Sequence, residues 1–278
     1  MTWMPIALNI FEGRAGDRND RAMKGAVILG NALAAVMGVK PTKIGTPQAA
    51  LSANWAIELE AARPGLDELR DLISSELDRG LHPITCVGRC AAGLGTLPAV
   101  AHFQPEAVIV WIDAHADTNS PEHTTTGYLG GMVISGAAGI WETGLGAGLS
   151  LSNVILVGCR DLDPIEKSLI DAGTTKLLQI GSDFPTLLCS AIAGRDVYVH
   201  IDCDVLNPGI VPSEFQVENG ISLDDLATVC RAIADHHVVG LEISEFEATW
   251  PNGTSGDPKL VVTAIEALLT KMQRQTLV

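Results

Sequence analysis

Residues 107–117 read A-V-I-V-W-I-D-A-H-A-D. Six apolar residues follow one another without polar alternation, and the run ends on Asp113, His115 and Asp117. A strand with one wet face alternates apolar and polar side chains. A continuous apolar run fits a strand covered on both faces, as in a parallel sheet. The same grammar recurs in V-I-L-V-G (154–158) and V-Y-V-H-I (197–201). Strand-type runs fall at Ile6–Ile10, Thr42–Ile44, Pro83–Val87, Ala107–Ile112, Asn153–Val157, Lys176–Leu178, Asp196–Ile201 and Val238–Ile243. Helix-type stretches lie between them, at Ala22–Met37, Asp67–Leu77, Ala91–Ala101, Pro164–Ala172, Leu223–His236 and Asp257–Gln273. Gly38 follows the first, Pro164 stands at a helix entry, and Ser222 is an N-cap residue type. Alternation of this kind along the whole chain predicts an α/β fold with a three-layer, doubly wound, mainly parallel sheet. No Gly/Ser linker, internal repeat or shift in composition divides the chain, so residues 1–278 are expected to form a single domain.

The chain carries 18 basic and 33 acidic residues, a net charge of −15. A nucleic-acid partner requires a basic face, and an anionic membrane surface repels such a chain, so neither partner is expected. Purely apolar runs fall far short of the roughly 18 residues a membrane span needs. Met1–Pro5 places no basic segment ahead of an apolar one, so no signal peptide is expected. Six cysteines in 278 residues are not a disulfide framework, and a reducing cytoplasm is the expected location. A homo-oligomer stays open.

Ligands of open parallel sheets bind outside the carboxyl ends of the strands. There, Ile112 runs into Asp113, His115 and Asp117; Ile201 into Asp202 and Asp204; Ile243 into Ser244 and Glu245; and Val87 into Arg89 and Cys90. An aspartate after a strand is often a turn or helix-capping residue, and singly none of these says more. D-x-H-x-D and D-x-D together, each behind a buried strand, say more. Four carboxylates gathered in a dry site need cations or must keep their protons. Two divalent ions balance four carboxylates, and oxygen-rich ligation with an imidazole suits Mg²⁺ or Mn²⁺ better than zinc. Two ions about 3.5–4 Å apart lower the pKa of a shared water. No G-x-G-x-x-G follows an early strand, which excludes a dinucleotide-binding enzyme.

Four segments carry a resemblance to the arginase/agmatinase family of ureohydrolases: W-I-D-A-H-A-D-T-N-S-P (111–121), G-C-R-D-L-D-P-I-E (158–166), H-I-D-C-D-V-L-N-P (200–208) and G-L-E-I-S-E (240–245). The resemblance implies an arginase-like fold, two Mn²⁺ ions per chain and hydrolysis of a guanidino amino acid. It implies that Asp113 and Asp202 bridge the ions, that Asp117 completes one shell, and that His115 and Asp204 complete the other. Glu245 falls where the family holds the guanidinium; Asn119, Thr126 and Asp163 fall where arginases grip the α-carboxylate and α-amino group. Glu166 matches a supporting carboxylate. Asp117 would also orient the nucleophile and relay its proton to the leaving nitrogen.

Two departures stand out. The family's G-G-D-H motif reads V-G-R-C here (87–90), so Cys90 replaces a histidine ligand. A soft thiolate is a poorer match for a hard ion, which predicts a more exchangeable ion there; the alternative is a neutral Cys90 with water in its place. Gly130, in T-T-T-G-Y-L-G-G (124–131), stands where arginases carry a proton-transferring histidine. Losing that residue is expected to open room for a substituted, less basic guanidine. The departures resemble the branch of the family that cleaves Nω-hydroxy-L-arginine to hydroxyurea and L-ornithine. An arginase, another guanidino-acid ureohydrolase and a non-catalytic amino-acid-binding paralogue are the alternatives. His123 is a candidate replacement proton carrier or a solvated loop residue, and His200 a satisfied strand residue or one behind the ligands. The other five cysteines are expected to be structural.

Overall fold

In chain order, the computed structural model, which describes residues 6–275, runs β1 (Ile6–Phe11), α1 (Arg21–Met37), β2 (Thr42–Ile44), α2 (Trp55–Asp78), β3 (His82–Cys86), α3 (Gly93–Phe103), β4 (Val108–Ile112), α4 (Val133–Ala137) and β5 (Val154–Val157). It continues with α5 (Pro164–Asp171), β6 (Lys176–Leu178), α6 (Phe184–Ile192), β7 (Val197–Asp202), α7 (Leu223–Ala234), β8 (Val238–Ser244), α8 (Pro258–Ala264) and α9 (Glu266–Gln275). The signal-peptide reading of Met1–Pro5 lies outside the described residues.

The eight strands form one sheet in the order β2-β1-β3-β8-β7-β4-β5-β6, and every pairing is parallel. Helices cover both faces. Along β4, Val108, Val110 and Ile112 pack with Leu29 and Leu33 of α1 and with residues of α6–α9; Ile109 and Trp111 pack with α2, α3 and α4. Period-2 alternation is therefore intact, with an apolar layer on each side, which is why the run reads as continuous. Among the described residues no helix is long and apolar enough to cross a membrane.

The strand-type runs all form strands, each within a residue or two of its expected ends. The helices depart more. The helix expected at Asp67–Leu77 begins at Trp55 and runs on through Pro64-Gly65. Asn54 caps it through its side-chain oxygen, and Leu59, Ala62, Leu66, Leu69 and Ile73 form one buried face across the proline. Burying that face outweighs the roughly 3 kcal/mol a helix-interior proline costs. Helices α4 and α6 add to the six expected stretches, and the helix expected at Asp257–Gln273 is two, broken at the buried Ile265.

The topology decides where chemistry can sit. Strands β3, β8, β7 and β4 are consecutive in the middle of the sheet, with Cys86, Ile243, Ile201 and Ile112 in register. The chain leaves all four at one edge, so the segments that follow them converge.

Candidate active site

At the end of β4, Asp113 is fully buried and fixed on both oxygens. Trp111 Nε1 donates to Oδ2 at 2.9 Å, and the His115 amide donates to Oδ1 at 2.7 Å. At the end of β7 the Asp204 amide donates to Asp202 Oδ1 (2.6 Å), and from the segment after β4 the Ala114 amide donates to Asp204 Oδ1 (3.2 Å). His115 Nδ1 lies 3.3 Å from Asp113 Oδ1 and 3.1 Å from Asp204 Oδ2. Cys90, in the short turn after β3, brings Sγ to 2.9 Å from Asp202 Oδ2, 3.0 Å from Ser244 Oγ and 3.3 Å from His200 Nε2. Asp117 and Glu245 both adopt left-handed backbone conformations, φ 49° and 62°. Non-glycine residues held this way concentrate at working sites, where surrounding structure over-determines them.

The electrostatics follow from burial. Desolvation pushes the carboxyls of Asp113, Asp117 and Asp202 above the usual range, and the neighbouring carboxylates push the same way. The Cys90 thiol is pushed up by burial and by Asp202. Burial alone pulls His115 down, but its bonds to Asp113 and Asp204 override this and raise it. Without cations, such a cluster keeps protons on. Asp204 Oδ2 is buried, and its polar neighbour is His115 Nδ1 at 3.1 Å. An acid-rich pocket whose Asp113, His115 and Asp204 ligand atoms converge within 4.8 Å fits a divalent cation.

Ligand atoms of Cys90, Asp202 and Glu245 lie within 4.8 Å of one another; so do those of Asp113, His115 and Asp204, and those of Cys90, Asp113 and His200. Two neighbouring positions result, one on the Cys90 side and one on the His115 side. Asp117 belongs to neither tight group but lines the same cavity, with Asn119, Thr126, Asp163 and Glu166 on its wall. Asn119 Nδ2 donates to Asp163 Oδ2. Glu166 accepts from the Asp163 amide (2.9 Å) and the Thr118 amide (3.1 Å), so it caps α5 and ties the β4 loop to it. Thr126 Oγ1 accepts from the Tyr128 amide at 3.2 Å.

His200 lies behind the thiol. Its ring stacks on Trp111 (centroids 3.5 Å apart, 5° between planes), and its Nδ1 is 2.9 Å from Glu242 Oε1. His123 is exposed, pairs with Ser120 and is absent from the cavity wall. Of the other cysteines, Cys203 packs in the core, Cys159 Sγ contacts the His115 carbonyl at 2.8 Å, and Cys189 is exposed.

Two findings depart from the sequence reading. The first is Arg89, fully buried and surrounded by acids: Glu245 (2.6 Å), Glu214 (2.6 Å), Glu247 (3.1 Å) and Asp17 (3.2 Å). Burial raises the Glu245 carboxyl and Arg89 opposes it; Asp17 is pushed up to about 6 by burial, again against Arg89. The signal was the V-G-R-C segment, read for its cysteine alone. The second corrects the expected room at Gly130, which the Tyr128 ring fills. A Cβ at Gly130 would stand 2.4 Å from Tyr128 Cε1. Arg18 and Phe215 join Tyr128 on the cavity wall.

A family model for "Arginase family" matches residues 48–265. The chain is 35% identical over 243 residues to an N(omega)-hydroxy-L-arginine amidinohydrolase from Streptomyces lavendulae, covering 87% of this chain and 89% of that one. Among solved structures it is similar to an Entamoeba histolytica arginase in complex with L-ornithine, with TM-score 0.83 and 21% identity, covering 96% of this chain and 99% of that one. It is also similar to a proclavaminate amidino hydrolase from Streptomyces clavuligerus, with TM-score 0.72 and 17% identity, covering 99% and 93%.

Proposed function

Because the chain belongs to the arginase family, we propose that it hydrolyses the guanidino C–N bond of a small amino acid, with Nω-hydroxy-L-arginine as substrate and hydroxyurea and L-ornithine as products. The named amidinohydrolase at 35% identity supports this substrate. The observation that carries it is the Arg89–Glu245 pair at 2.6 Å. A carboxylate already shared with an internal guanidinium attracts a second full cation weakly. N-hydroxylation lowers the basicity of the guanidine, so this substrate asks less of Glu245 than arginine does.

In this reading Cys90, Asp113, His115, Asp117, Asp202 and Asp204 hold two divalent ions, with Mn²⁺ proposed from the oxygen-rich donor set. Those ions, when bound, lower the pKa of water and stabilise developing charge. Asn119, Thr126 and Asp163 orient the amino-acid end, Asp163 opposite the ammonium. Glu245 positions the guanidine. Asp117 takes the proton released by the attacking water on its carboxylate and delivers it to the departing ornithine nitrogen. A cytoplasmic location and a place in D-cycloserine biosynthesis belong to the same proposal.

The test is steady-state kinetics on Nω-hydroxy-L-arginine and L-arginine with Mn²⁺ supplied, scoring hydroxyurea against urea. Hydroxyurea release with the higher kcat/KM is the expected result. Preferred urea release from arginine makes the protein an arginase, and identical behaviour with and without chelator removes the metal assignment.

A further inference from the structure

We propose that Tyr128 is a specificity-determining residue that reads the terminal substituent of the guanidine: its hydroxyl oxygen accepts a hydrogen bond from the substrate's N-hydroxyl group while its own O–H donates to Glu245. The inference rests on the hydroxyarginine reading and deepens it.

The ring is held from several sides. At Gly130 a Cβ would meet Cε1 at 2.4 Å, Cζ at 2.9 Å and the hydroxyl oxygen at 3.1 Å, so a side chain at position 130 and the Tyr128 ring exclude each other. The Arg18 guanidinium lies 4.7 Å from the ring centroid, and Phe215 packs against the ring at 5.2 Å. Cation–π and aromatic contacts of this kind fix a ring without consuming its hydroxyl. The hydroxyl reaches inward to 3.3 Å from Glu245 Oε1, on a cavity wall that also includes Cys90, Asp117 and Asp202.

Glu245 has little left to offer a longer substrate. Its Oε2 is taken by Arg89 at 2.6 Å, and its Oε1 accepts from the Cys90 amide at 3.2 Å as well as from Tyr128. An unsubstituted guanidinium presents only N–H donors, and carboxylates suffice for those. An N-hydroxyl group adds one heavy atom with its own O–H donor, and the phenol oxygen keeps lone pairs to accept from it while the phenol proton goes to Glu245. Asn119, Thr124 and Thr126 on the same wall can also accept, but Tyr128 is the neutral side chain there that bonds Glu245, the residue placed at the guanidine. Burial and the Glu245 charge hold its pKa well above the ordinary phenol value, so the O–H is retained.

The experiment compares wild type, Tyr128→Phe and Gly130→Ala, all Mn²⁺-loaded, by kcat and KM for Nω-hydroxy-L-arginine and L-arginine. Calorimetric titration with N-hydroxyguanidine and with guanidine runs in parallel. Tyr128→Phe keeps the ring and its packing. It is expected to raise KM for hydroxyarginine by about three- to tenfold, the fold-change of one neutral hydrogen bond. The rise in KM for hydroxyarginine should exceed any change in KM for arginine, because both substrates share Glu245 and only one carries the hydroxyl. Gly130→Ala, which displaces the ring, is expected to lower kcat/KM for hydroxyarginine at least as far. Equal effects of Tyr128→Phe on both substrates, or none on either, overturn the inference. If wild type turns over neither substrate, the hydroxyarginine reading itself fails, and calorimetry then decides. Selective weakening of N-hydroxyguanidine in Tyr128→Phe supports the inference; unchanged relative affinities overturn it.

Discussion

Cys90 Sγ stands 2.9 Å from an Asp202 oxygen and 3.3 Å from His200 Nε2, where the family motif has a histidine. A neutral thiol offers an ion little, and a thiolate is soft. Cys90→His is therefore expected to raise the Mn²⁺ retained after dialysis, and Cys90→Ala to lower it, both read by elemental analysis. Asp117→Ala removes the proposed proton carrier and should cost about 10²–10⁴ in kcat. Arg89 makes a different claim, since it is fully buried among Asp17, Glu214, Glu245 and Glu247. Arg89→Met leaves buried carboxylates uncompensated and should destabilise by about 3–5 kcal/mol in urea unfolding. At this scale the aspartates and His115 were legible because each follows a strand directly. Tyr128, Phe215 and Arg18 were not, because long loops deliver them and no periodicity marks a loop residue.

At the scale of elements, α1 supports the site from behind. A Cβ on Gly25 would lie 1.7 Å from the Phe246 carbonyl oxygen and 3.0 Å from Glu247 Cα, so the helix and the segment after β8 touch backbone to backbone. Glu247 reaches from that segment to Arg89 and to Arg21 at the start of α1. Gly25→Ala must push helix and segment apart. Overpacking of this kind costs roughly 1–3 kcal/mol. Because the displaced segment carries Glu245, a fall in kcat/KM should accompany the loss of stability; stability is read by thermal unfolding and activity on the same preparation. The strands were legible as elements because continuous apolar runs are short and bounded. Helix α2 begins upstream of the expected Asp67, and the buried face that carries it through Pro64 is a tertiary fact.

Over the whole molecule, acidic burial sets the response to pH and metal. Burial pushes the Asp17 carboxyl up to about 6 in the folded protein, against an ordinary aspartate value of 3.8. The folded state thus binds more protons than the unfolded chain between those values, and stability falls as pH rises through that window. Asp17→Asn should flatten this fall by about 3 kcal/mol, measured by urea unfolding at pH 4 and pH 7. The raised carboxyls of Asp113, Asp117, Asp202 and Glu245 act in the same direction when cations are absent. Chelator-stripped protein should therefore melt below the Mn²⁺-loaded form at pH 8. The gap in Tm should narrow towards pH 5, where protons neutralise the cluster instead.

The amino-acid sequence by itself determined the strand positions, the α/β class and the identity of the acidic residues at the strand ends. Each of these is written in neighbouring residues, as an apolar run or as a polar residue beside it. Only the tertiary structure decided that Arg89 neutralises Glu245 and that the Tyr128 ring occupies the space beside Gly130. It also decided that His200 backs the Cys90 thiol. Those contacts join the segment after β3 to the segment after β8, one part of a loop to another, and β7 to the turn after β3. Their energies come from desolvation and close packing between segments, which no local pattern encodes.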